Sequence, residues 1–65
     1  MRAGSTVPGQ LFVWHSWSRG DLMFVVVSIV GTRADVLYLG YPARFGWFAI
    51  ETLEQNHRFC PVEGP

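Results

Sequence analysis

Two histidines, one cysteine and five acidic side chains are the groups of this chain able to hold a metal or move a proton. His57 and Cys60 stand three apart. On a strand that spacing sends them to opposite faces, so they cannot share an ion without a bulge. Only His15 and the acids remain to complete a ligand set, and no metal is expected. Cys60 then reads as a small packing residue or a thiol at the rim. Ser16, Ser18 and Ser28 fall on or beside predicted strands, and none sits in a nucleophile-elbow pattern. No two carboxylates have the spacing of an acid and base pair. A barrel of this size has little room for a closed pocket. The residues therefore predict no catalytic group, no cofactor and no enzyme. Arg19-Gly20-Asp21 is the tripeptide that integrins bind, but in a predicted hairpin loop ordinary turn chemistry is the plainer reading.

The aromatic residues carry more. Phe12, Trp14, Trp17, Phe24, Tyr38, Tyr41, Phe45, Trp47, Phe48 and Phe59 are too many for one small interior, and strand parity sends neighbours to opposite faces. Trp14, Trp17, Tyr41, Phe45 and Trp47, with Arg44, are expected to form an exposed ridge that binds a partner. Trp, Tyr and Arg are the residues interface hot spots use most. The plainer reading is that most of them cap a small core. A protein partner or a homo-oligomer is expected first. Nucleic acid comes second: aromatics can stack bases while Arg19, Arg33, Arg44 and Arg58 contact phosphates. Against it stand a formal net charge of zero and five arginines with no lysine.

These side chains need strands to position them. Leu22 to Val30 holds a single polar residue, Ser28, and its valines and isoleucine favour a pleated strand. Met23, Val25, Val27 and Ile29 share one face; Leu22, Phe24, Val26, Ser28 and Val30 share the other. A strand apolar on both sides lies centrally in a sheet, curls inside a barrel, or buries its outer face against another chain. It is expected to be fully protected. Other strands are predicted over Gln10–Trp17, Asp35–Gly40, Arg44–Ile50 and His57–Val62, with turns at Ser18–Asp21, Gly31–Ala34 and Gly40–Ala43. Gly46, inside the fourth strand, marks a close backbone approach or a bend. Thr52 with Gln55 reads as a capping box on one helical turn, closed by Asn56 in the left-handed region. Pro61 belongs on an edge or at a strand end. Met1–Gly9 reads as a flexible arm, residues 10–62 as one domain and 63–65 as a tail.

Sixty-five residues, 49% of them hydrophobic, make one domain with a small core. A chain this short hides only about 60% of its extended surface, so some apolar surface should face outward and meet a partner or a second copy. One cysteine rules out an internal disulfide and fits a reducing compartment. The nine-residue apolar run is far short of the about 20 residues that span a bilayer. The start lacks the pattern of a signal peptide. A soluble, cytoplasmic protein of a bacterium or an infected host cell, with no membrane partner, is expected.

Five short strands, tight hairpins and a helical turn before the last strand resemble the order of an SH3-like small barrel. Gly46-Trp47-Phe48-Ala49-Ile50-Glu51-Thr52-Leu53 resembles the Gly-Trp-Val-x-x-x-x-Leu ending of bacterial SH3 domains. The resemblance implies an all-β, five-stranded barrel with Phe48 and Leu53 in its core. The long first loop and the Ala-Leu-Tyr-Asp-Tyr motif of peptide-binding SH3 domains are missing, and Ala49 replaces their ligand-contacting proline. The Asn-Val-Arg-Ser-Gly-Pro motif of wall-binding bacterial SH3 domains is missing too. The short hairpins look more like Tudor or KOW-type barrels, or the single-barrel accessory proteins of bacteriophages.

Overall fold

The computed structural model describes residues 6–40 and 42–62. They form β1 (Leu11–Ser16), β2 (Gly20–Val30), β3 (Arg33–Tyr38), β4 (Arg44–Ala49), α1 (Ile50–Gln55) and β5 (Phe59–Val62). The fold is all-β: one five-stranded antiparallel sheet in the order β4-β3-β2-β1-β5, with one short helix before the last strand. Three hairpin connections run from β1 to β4, and α1 then carries the chain to the far side of β1. Gly20 (φ 76°) and Gly31 (φ 60°) supply the left-handed backbone that the first two tight turns need.

The expected faces of β2 hold only as far as Val26. There the β2–β3 register shifts, pairing Val26 with Val36 but Ser28 with Asp35, so Val27 is the extra residue of a bulge. Phe24 and Val26 point inward and are fully buried. Past the bulge Ile29 packs against the core, and the Ser28 hydroxyl donates to Asp35 (3.1 Å). The full protection expected of this strand is not found: Met23 and Val27 are 41% and 42% exposed on the outer face.

The core is Phe12, Phe24, Val26, Ala34, Val36, Leu53 and Phe59, with Trp14, Ile29, Tyr38, Phe48 and Ile50 packed on it. Phe24 is its hub, stacked on Phe12 (5.5 Å) and Phe48 (5.1 Å) and edge-on to Tyr38 (5.7 Å). Trp14 of β1 meets Phe48 of β4 edge-on at 5.7 Å. Those strands are three apart in the sheet, about 14 Å if it were flat, so the sheet is strongly curled. Among the described residues the two edges, β4 and β5, are not hydrogen-bonded to each other; side chains and α1 fill the space between them.

Three local expectations are corrected by packing. The helix begins at Ile50, capped by Ala49 without a side-chain bond, and Thr52 lies inside it, so the Thr52–Gln55 capping box does not form. Burial of Leu53 and Ile50 sets the start instead. Asn56 closes the helix in extended, not left-handed, backbone, its N–H donating to the Thr52 carbonyl (3.0 Å). At Gly46 the close neighbour is a ring rather than a backbone: a Cβ there would lie 2.9 Å from Cε2 of Tyr38. Of the expected arm, residues 1–5 lie outside the described residues, whereas Thr6 is buried and the Gly9 N–H donates to the Val26 carbonyl (2.7 Å). The expected tail, 63–65, also lies outside them.

Candidate functional site

Strand alternation sends every second side chain away from the core, and the register decides which of them align. Phe45 sits opposite Leu37, Leu37 opposite Val25, Val25 opposite Leu11, and Leu11 opposite Val62. One apolar row thus crosses all five strands on the outer face. A second row runs beside it, with Met23 opposite Val13 and Val13 opposite Cys60. Phe45 is 78% exposed and Trp47, two residues on along β4, 61%. Trp47 lies opposite Asp35. The Arg33 guanidinium is 5.8 Å from the Trp47 ring, and its Nε is 3.2 Å from Asp35, so the cation beside the indole is itself paired to a carboxylate.

At one end of the sheet, where the β1–β2 turn faces the β3–β4 connection, lies a cleft of about 380 Å³. Trp14, Leu22, Met23, Tyr38, Leu39, Pro42 and Phe45 form its apolar walls, and Arg19 and Arg44 supply two cations. Burial pushes the Tyr38 phenol above the ordinary tyrosine value of 10.0, with the Arg19 charge pulling the other way. Arg58 belongs to the same end. Its guanidinium is 5.8 Å from the Trp17 ring, and Nη1 donates to the His15 carbonyl (3.2 Å). The opposite end holds an open depression lined by Gly31, Thr32, Glu51 and Glu54. The net charge of zero therefore hides an uneven spread: Arg19, Arg44 and Arg58 with Asp21 at one end, Glu51 and Glu54 with Arg33 at the other. Composition cannot reveal this, because it carries no positions.

The expected ridge is divided. Trp14 is not on an exposed ridge: it stacks on Phe59 (5.3 Å) as part of the packing around the core, and reaches the surface only at the cleft. Arg44 and Phe45 line that cleft. Trp17 is 89% exposed, but in the β1–β2 turn beside Arg58. Trp47 faces outward at the other end of β4. Tyr41 lies outside the described residues. The ridge read from residue types omitted Leu11, Val25, Leu37 and Val62, which join Phe45 only through the register, and Tyr38 at the cleft; Arg19, also at the cleft, was named only among the arginines that could contact phosphates.

The remaining chemistry-bearing residues have local partners. The His15 Nδ1–H donates to Asp21 (2.9 Å), and the Arg19 N–H donates to Ser16 Oγ (3.3 Å), so Arg19-Gly20-Asp21 is built into its turn. The Cys60 thiol donates to the His57 carbonyl (3.6 Å). Among the described residues no three His, Cys, Asp or Glu side chains converge as metal ligands, and no helix is long and apolar enough to cross a membrane. No protein-family model, no curated protein and no solved structure matches this chain.

Proposed function

We propose that this chain is a small protein-binding module, acting by association rather than by catalysis, through the outer face of its sheet and the adjoining cleft. The observation that carries the reading is the apolar row Phe45–Leu37–Val25–Leu11–Val62, in register across all five strands on the side away from the core. Isolated exposed apolar residues are ordinary, but a contiguous apolar face on a small domain marks a contact surface. Phe45 and Trp47 supply large rigid area, and Arg44 can stack or reach a carboxylate. The order of elements keeps the SH3-like reading as a proposal, supported by the hairpins and by α1 before an edge strand.

The test is affinity capture with the wild-type chain beside Met23→Glu/Val27→Glu, two exposed changes on this face. The wild type is expected to retain a protein, its own copy included, that the variant loses at unchanged melting temperature, and added salt should not release it. Equal retention by both chains overturns the reading.

A second reading, binding of single-stranded nucleic acid, is favoured by one observation, the gathering of Arg19, Arg44 and Arg58 at the end that also displays Trp17. Stacking on the indole and phosphate contacts from the arginines would supply it. Salt separates the two, since phosphate contacts impose a steep fall of affinity with ionic strength.

A further inference from the structure

We propose that two copies of this chain pair edge to edge through β4, antiparallel, with Gly46 on the two-fold axis. This rests on the protein-binding reading and names the partner as a second copy. Among the described residues both edges of the sheet lack a neighbouring strand, but they are not equivalent. The Ile50 N–H donates to the Thr32 carbonyl (2.9 Å), which fixes the phase of the β3–β4 pairing. Hydrogen-bonded pairs alternate in an antiparallel ladder, so Gly46 and Phe48 bond to β3 while the N–H and C=O groups of Phe45 and Trp47 point to the free edge. On the other edge the His15 N–H donates to the Arg58 carbonyl (2.8 Å). The same alternation turns the backbone groups of Phe59 and Pro61 to that edge, where the Phe59 N–H is already taken by the Asn56 carbonyl (3.1 Å). Proline has no N–H, so the β5 edge is blunted at its middle, as edges that avoid pairing are. The β4 edge has neither proline nor lysine.

The sequence of β4 is complementary to itself. Opposed residues in an antiparallel pair share a face, and a pairing centred on Gly46 sets Phe45 against the partner's Trp47 twice. These are the residues whose backbone groups are free, so each pair exchanges both its hydrogen bonds and joins two exposed aromatics on the outer face. Gly46 then occupies the narrow pair, where Cα atoms approach to about 4.5 Å. A two-fold contact needs such a self-matching patch. Arg44, the one charged residue of β4, then lies opposite Phe48 of the other copy, so no like charges are opposed within the pair.

The test is sedimentation of the full chain across concentration, with Phe45→Lys/Trp47→Lys, Phe45→Glu/Trp47→Glu and their equimolar mixture. The wild type is expected to dimerise. Each double variant alone should keep its circular dichroism and dimerise at least tenfold more weakly. The mixture should recover a dimer, because each introduced lysine then faces an introduced glutamate. A dimer indifferent to both variants, or a mixture that stays monomeric, overturns the β4 register and leaves the protein-binding reading to the capture experiment. A wild type that stays monomeric at every concentration overturns self-pairing altogether. Rings or filaments would mean β4 pairing with β5, and would overturn the two-fold arrangement.

Discussion

Phe48 on β4 and Phe59 on β5 belong to opposite edges of the sheet, yet their ring centroids are 5.0 Å apart, edge to face. In a flat sheet, four strand spacings would separate those edges by about 19 Å. The curl that brings them together is thus held by an aromatic contact where no backbone ladder joins the edges. Phe59→Ala should cost about 3–5 kcal/mol, the usual range for emptying a buried phenylalanine site. A double-mutant cycle with Phe48→Ala should show a coupling of about 0.5–1.5 kcal/mol. Urea titrations of the four chains check it, and strict additivity would mean that the two rings do not support each other.

The bulge at Val27 makes a sharp contrast between neighbours. Val26→Asp buries an unpaired charge in the core and should cost several kcal/mol, enough to unfold a domain of this size. Val27→Asp, on the open outer face, should cost less than about 1 kcal/mol. Thermal melts decide between them. Equal loss in both variants would put the register shift elsewhere.

Gly46 is required by the ring beside it. Gly46→Ala pushes a methyl group to 2.9 Å from Cε2 of Tyr38, and that ring is itself held edge-on to Phe24 and Phe48. Overpacking of this kind should cost about 1–3 kcal/mol. Combined with Tyr38→Ala, the same change should cost much less. The two effects adding in full would show that the ring is not the obstacle.

Stability should fall in alkali through Tyr38. Burial raises its folded pKa above the unfolded value of 10.0, despite the opposing Arg19 charge. The folded state therefore favours the neutral phenol. Its contribution is fully present below the unfolded pKa and is lost as pH rises through the folded pKa. The chain has no lysine to titrate over the same range. Denaturant midpoints measured from about pH 9 to about pH 11 should fall in the wild type and fall less in Tyr38→Phe. Parallel curves would locate the alkaline loss in another group.

The strands of this protein are legible in its sequence because alternation and β-branching act within each segment. Gln10–Trp17 was expected and Leu11–Ser16 formed; Arg44–Ile50 was expected and Arg44–Ala49 formed. Phe48 and Leu53 are readable as inward from their motif positions, whereas parity only groups Phe12 with Trp14 and Phe24 with Val26 and does not say which face of either strand turns to the core. The helix start was not readable, because burial of Leu53 and Ile50 outweighed one side-chain bond. The exposed surface was not legible either. Residue type cannot separate Trp14, turned inward with Phe12, from Trp17, which stands past the strand end in a turn. The bulge at Val27 adds one residue to β2 and so reverses the faces of everything after it, a shift visible only against β3. The outer apolar row, and the gathering of Arg19, Arg44 and Arg58 at one end, likewise depend on which residues of distant segments sit opposite one another. Sequence parity assigns a side chain to one of two faces; only strand pairing and curl decide what it meets there.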